Sequence, residues 1–170
     1  MHQFKKEPKV QGQDSIIINA PTKTVWPLIQ DSMQLEFWGP PVERVKVELL
    51  PDQSREGKGS KRKVWAKFTE KRKGWFEEVR IDEKEGKSIV FMIYNDNFGL
   101  DKMLEDVGGV MELEVMNEEK TKFTFTFYHR PKNILGWLMN PMIKADQKKN
   151  RLKALASIKS YAETGIAIKN

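Results

Sequence analysis

The sequence predicts an α+β domain: one curved antiparallel sheet of seven strands, two short helices after the first strand, and one long C-terminal helix. Three observations predict it. Apolar side chains recur at every second position in successive short runs from residue 42 to residue 128. Gly, Pro and Asp punctuate those runs at hairpin spacing. Only from residue 141 onward does the apolar spacing become helical. The chain has 170 residues, 39% of them hydrophobic. That suits a single domain burying about 70% of its unfolded surface, and leaves no room for a second of ordinary size.

The elements follow in order. Residues 15–19, rich in isoleucine, read as the first strand. A short helix then opens at Pro21 or Thr22 with Val25, Trp26, Leu28 and Ile29 on its apolar face, although Pro27 lies inside it. A second short helix over residues 33–37 is stopped by Gly39-Pro40-Pro41. Residues 42–50 alternate as a strand and turn at Pro51-Asp52-Gln53. In the next strand, residues 60–68, Lys61, Lys63 and Lys67 point one way, and Val64, Ala66 and Phe68 the other. A hairpin turn over residues 71–74 returns the chain as 75–81, with Trp75, Val79 and Ile81 on the presumed inner face and Glu78 and Arg80 outside. After a turn at 82–86 comes the strand 88–94, apolar on both faces, so its inner side stays open. A loop over 95–106 is centred on Phe98-Gly99-Leu100. Strand 110–116 sets Met111, Leu113 and Val115 against Glu112 and Glu114; strand 122–128 sets Phe123, Phe125 and Phe127 against threonines. The final helix spans 141–163, with Met142, Ala145, Leu152, Leu155, Ala156, Ile158 and Ala162 as its stripe and Gly165 as its stop.

That stripe must be buried, and the one large apolar face on offer is the sheet. The helix therefore lies across it, and a twisted sheet curling round a helix can leave a gap between them. Residues 1–13 are polar and charged and are expected to be a mobile tail, with residues 14–165 as the single domain.

Composition excludes several kinds of chemistry. The chain has no cysteine, so disulfides, thiolate nucleophiles and cysteine zinc sites are out, which agrees with a cytoplasmic setting. Its opening residues do not resemble a secretory signal and no apolar run is long enough to span a bilayer. His2 and His129 are too few for a histidine metal site, and neither G-x-S-x-G nor H-E-x-x-H occurs. His129, just after a strand and beside Arg130 and Pro131, reads as a loop-edge residue and not as a general base. Gly57-Lys58-Gly59 begins like a dinucleotide fingerprint but has Arg62 at the third glycine position and leads into a strand. No cofactor and no metal are expected. The net charge is +6, and residues 55–73 hold nine bases and two acids, so the excess is local. A solvated strand face accounts for it; a binding surface for an acidic partner is the alternative, with nucleic acid disfavoured because only Trp65 could stack.

Several phrases carry a family resemblance. Ile16-x-Ile18-x-Ala20-Pro21-x-x-x-Val25-Trp26-x-Leu28-Ile29-x-Asp31 resembles the opening of the START-related, polyketide cyclase/dehydratase-like (SRPBCC) superfamily. Trp38-Gly39-Pro40-Pro41-Val42-x-x-Val45, Gly57-x-Gly59-x-x-Arg62 and Leu152-x-x-Leu155-x-x-Ile158-x-x-Tyr161-Ala162-Glu163 resemble its later landmarks. The resemblance implies a helix-grip fold around an internal apolar cavity. Its members typically bind lipids, sterols, quinones, polyketides or plant hormones; a minority are cyclases or dehydratases, and others partner chaperones. Fold alone does not choose among these.

The candidate site follows from alternation. Arg62 and Glu77 both fall on faces read as internal, on neighbouring strands, and buried charges need partners. They are a polar anchor for a ligand head group or an ion pair near the sheet end. Val64, Val79, Tyr94, Met111, Leu113, Phe125, Phe127, Leu152 and Leu155 complete the expected ligand-binding set. Phe98 and Leu100, opposite Trp137 and Met139, are the expected gate, which could touch a membrane surface. The leading expectation is binding or transport of a hydrophobic small molecule of lipid, polyketide or isoprenoid type. The alternatives are a cyclase or dehydratase using Glu77, with Tyr94, Tyr128 or Asp82 assisting, and an interaction module using the basic outer face.

Overall fold

A computed structural model describes residues 2–39, 44–51, 53–69 and 72–166. Strands β1 (Val10–Ile18), β2 (Arg44–Leu49), β3 (Lys61–Thr69), β4 (Arg72–Lys84), β5 (Ser88–Asp96), β6 (Leu104–Asn117) and β7 (Lys120–Pro131) form one sheet. Its order is β1-β7-β6-β5-β4-β3-β2, antiparallel throughout. Helices α1 (Thr22–Gln30) and α2 (Leu35–Trp38) follow β1 with a 3-10 turn between them, α3 (Leu100–Met103) precedes β6, and α4 (Ile134–Thr164) closes the chain. The curved sheet wrapped round a long terminal helix is the predicted helix-grip architecture.

The core lies where the sheet's inner face meets α1, α2 and the second half of α4. Ile18, Val25, Trp38, Phe123, Ala154, Leu155 and Ile158 are buried there. Trp38 meets Phe123 edge-on at 6.4 Å, and its indole N–H donates to the Leu28 carbonyl at 2.6 Å. An aromatic body and a satisfied polar tip thus fasten α2 to α1 and to the sheet.

Several boundaries move. β1 begins at Val10, inside the stretch read as a tail: it pairs with β7 although Gln11, Gln13 and Ser15 on its outward side are polar and give no apolar signal. Residues 2–9 touch the sheet's outer face: Phe4 packs edge-on to Tyr128, and Asp106 accepts from the Lys5 amide at 2.7 Å. β4 starts at Arg72 and runs through Asp82 to Lys84, so both turns expected around it shrink. The Pro40, Pro41 and Asp52 turn positions and residues 70–71 fall outside the described residues. The loop over 95–106 contains α3 and the start of β6.

α4 starts at Ile134, not Pro141. Asn133 caps it, its side-chain oxygen accepting from the Gly136 amide at 2.9 Å. Pro141 sits inside the helix on an exposed side. The expected apolar stripe is out of phase: Met142, Ala145, Leu152 and Ala156 are exposed, while Arg151, Ala154, Leu155, Ser157 and Ile158 are buried. The inward side of this helix is polar before it is apolar, and a stripe drawn through apolar residues alone misses that.

Candidate functional site

The register of β3 on β4 decides which side chains face inward. Residues directly opposite share a face. Arg62 pairs with Glu78, and Val64 with Phe76, whereas Lys63 pairs with Glu77 and Lys61 with Val79. The inner face of β4 is therefore Phe76, Glu78 and Arg80, one residue out of step with the sequence reading. A one-residue slip moves every side chain to the opposite face. The reading failed because it equated apolar with inner: Val79 is 3% exposed on the outer face, while Glu78 and Arg80 are 6% exposed inside.

Charge partners make that inversion affordable. The Arg62 Nε donates to the Glu78 Oε1 at 2.5 Å, a second guanidinium nitrogen contacts the same oxygen, and Nη1 donates to the Ser32 carbonyl at 2.6 Å. Arg80 donates to the Glu83 carboxylate at 2.6 Å and to the Gln30 carbonyl at 2.7 Å. Both arginines thus tie the end of α1 and the 3-10 turn to the sheet, and each guanidinium has a carboxylate beside it.

Between this cluster and α4 lies a cavity of about 180 Å³. Its apolar walls include Phe76, Phe91, Val107, Met111, Phe125 and Phe127, with Leu35 and Trp38 from α2. Gly109 lets the Phe91 ring lie close on β6: a Cβ there would be 2.6 Å from the Thr126 carbonyl and 2.9 Å from that ring. Arg62 and Glu78 line the cavity from the sheet, and Asp146, Gln147, Asn150 and Arg151 from α4. The Gln147 side chain, its Oε1 buried, reaches the His129 imidazole from α4, and Arg151 is engaged by Asp14, its Nε donating at 2.7 Å. Half-buried Phe98, Leu100 and Ile143 line the solvent side. The arrangement can hold an apolar body while offering a hydrogen-bond acceptor and a charged pair at its margins.

The predicted site residues separate into groups. Arg62, Met111, Phe125, Phe127, Phe98 and Leu100 line the cavity. Val64, Leu113 and Leu155 are buried in the core but do not line it. Glu77, Val79 and Tyr94 are on the outer face, and Leu152 is 47% exposed. Trp137 is exposed and Met139 half-buried, and neither lines the cavity. Glu77 instead bridges Lys63 at 3.4 Å and accepts from Asn95 at 3.1 Å. The Tyr94 ring lies tilted against His2 at 4.5 Å, and the pKa of its phenol is pushed up to about 12 by burial and by the Glu77 carboxylate, so it stays protonated. Lys63 also lies 3.9 Å over the Trp75 ring, so part of the basic outer face is paired internally. Phe76, Glu78, Phe91, Gln147 and Asn150 were missed in the sequence; cross-strand register is the signal that finds the first three.

His129 lies within β7 and is fully buried, not at the edge of a loop after the strand. Its Nε2 is 2.6 Å from the Asn140 Oδ1. Burial lowers its pKa below the ordinary 6.5; hydrogen bonds from Asn140 and Gln147 oppose this and the nearby Lys144 charge adds to it. The folded state then binds fewer protons than the unfolded state in mild acid. Stability from this site is complete above about 6.5 and declines as pH falls through and below that value. Thermal melts across this range should show the decline, and His129→Gln should flatten it. An unchanged acid slope in the variant would assign the decline to other groups. Among the described residues no cluster of three or more His, Asp or Glu side chains is placed to hold a metal ion.

A sheet gripping a terminal helix over an apolar cavity with a few polar margins defines the START-like, or SRPBCC, class of proteins. The family described as polyketide cyclase / dehydrase and lipid transport matches residues 9–163, and the chain belongs to it. No curated protein matches the chain. Among solved structures it is similar to the Zhui aromatase/cyclase from Streptomyces sp. R1128, with TM-score 0.71 and 17% identity over 89% of this chain and 92% of that one. It is similar to a START superfamily protein from Mycobacterium smegmatis, with TM-score 0.67 and 13% identity over 91% and 97% of the two chains. Norcoclaurine synthase from Thalictrum flavum, solved with dopamine and hydroxybenzaldehyde, gives TM-score 0.65 and 12% identity over 91% and 85%. At these identities the likeness is one of fold.

Proposed function

We propose that the protein binds a hydrophobic small molecule, of lipid, polyketide or isoprenoid type, in the cavity between the sheet and α4. The observation that carries this is the cavity itself: about 180 Å³ of space lined by five phenylalanines, with the Arg62–Glu78 pair and the polar side of α4 at its margins. Apolar cavities of about 150 Å³ accept a benzene ring, so one ring or a short acyl segment fits, and a longer molecule would continue past Phe98 and Leu100. Burial of that segment supplies the affinity, and the polar lining, Arg62 and Glu78 on the sheet and Asn150 on α4, orients a polar group of the ligand. The family's description and the small aromatic compounds bound by norcoclaurine synthase support this class of ligand.

Mass spectrometry of an organic extract of the purified protein, beside a native mass spectrum, tests it. A stoichiometric apolar molecule is expected. An empty protein that is not stabilised by any apolar ring or acyl compound would reject the reading. A cyclase or dehydratase role would pass from Glu77 to Glu78 and Asp146, the carboxylates that line the cavity among the described residues. Turnover of a polyketide-like substrate that Glu78→Gln abolishes without loss of binding would establish that role.

A further inference from the structure

The first half of α4 has its polarity reversed. Its inward side carries Asn140, Asp146, Gln147 and Asn150, engaged with His129 or the cavity. Its outward side carries Ile134, Trp137, Leu138 and Met142, which are 80%, 70%, 63% and 57% exposed. Single exposed apolar residues are ordinary, but four at helical spacing form a patch that needs a cover.

The neighbouring charges indicate what covers it. Helical neighbours lie three and four residues apart. The row Trp137, Pro141, Lys144, Lys148 and the row Leu138, Met142, Ala145, Lys149 each run from apolar to basic. Lys144, Lys148 and Lys149 are all exposed. From Lys132 to Lys153 there are five lysines against one acid, Asp146, which faces the cavity, and Arg151 is engaged by Asp14. A second copy of the chain would set these lysines against themselves in a two-fold pairing. An indole beside aliphatic side chains, flanked by lysines, matches the boundary between acyl chains and anionic head groups.

We propose that this face of α4 docks on an anionic lipid bilayer, with Trp137 and Leu138 at the acyl boundary and Lys144, Lys148 and Lys149 at lipid phosphates. The face is held rigidly. Asn133, which caps α4, also donates to the Lys102 carbonyl at 2.8 Å, and the Lys132 amide donates to Met103 at 2.8 Å, so α3 and the start of α4 move together. Leu100 on α3 and Ile143 on α4 both line the cavity, so docking brings its solvent side to the bilayer. The assignment rests on the helix face and not on any cavity occupant.

Co-sedimentation of the full chain with large vesicles of phosphatidylcholine, with and without phosphatidylglycerol, tests it. Binding to the anionic vesicles is expected to be about tenfold or more tighter than to the neutral ones, and to weaken with salt. Trp137→Ser with Leu138→Ser, and separately Lys148→Glu with Lys149→Glu, should each weaken it about tenfold or more. Both pairs are exposed, so circular dichroism and melting temperature should hold. Absence of binding to anionic vesicles would overturn the proposal. So would binding that both variants retain, which would place the contact on the basic stretch of β3 and β4. A dimer in sedimentation velocity that the serine variant dissolves would assign the face to a second copy instead.

Discussion

Arg62→Met is expected to destabilise the fold by about 3–5 kcal/mol, because it leaves Glu78 buried without its countercharge. Arg62 is 8% exposed and Glu78 6%, so bulk solvent screens the remaining charge little. The substitution also removes the donor to the Ser32 carbonyl, loosening the turn between α1 and α2. Adding Glu78→Leu should recover most of the loss, since replacing both members of a buried pair by apolar side chains is often neutral or stabilising. Urea denaturation of the two single variants and the double variant measures the coupling directly. Single losses below about 1 kcal/mol would mean that the pair is solvated in solution and contributes no more than a surface bridge.

Ala154→Phe is expected to abolish cavity occupancy. Ala154 is fully buried and lines the cavity from α4, so a ring placed there projects into the space a ligand would use. Overpacking costs about 1–3 kcal/mol where no space exists, but here the cavity can take the ring, and the melting temperature should change little. The variant should carry none of the molecule extracted from the parent protein and should not be stabilised by adding it. Equal stoichiometry in both would place the ligand elsewhere. Leu155, the position that a stripe of apolar residues selects for such an experiment, is buried but does not face the cavity. Leu155→Trp would strain the core and leave the cavity open.

The fold was legible because its signals are local and redundant. Phe123, Phe125 and Phe127 alternate with threonines, Pro21 opens α1, and Gly165 ends α4 at a φ of 70°, which glycine adopts freely. Phrases spread from Ile16 to Glu163 carried the family resemblance independently of any one boundary. The site was only partly legible. Arg62 was found because a charge on an apolar strand face needs a partner, yet the partner is Glu78 and not Glu77. Neighbouring residues offer the same carboxylate, and only the pairing of β3 with β4 chooses between them.

The seven strands, the paired short helices and the terminal helix, in that order, are legible in the chain because period and turn chemistry are properties of short segments; the single turn of α3 is not. Tertiary structure decided which face of each element points inward. On β4 a charged face is buried because Arg62 and Glu83 neutralise it, and the apolar Val79 faces outward, between Lys61 and Met92 on the neighbouring strands. On α4 the polar residues face inward because a cavity and the buried His129 lie beneath them, which leaves Trp137 and Leu138 outside. Burial follows from what the facing surface can satisfy, and that surface comes from residues distant in the chain.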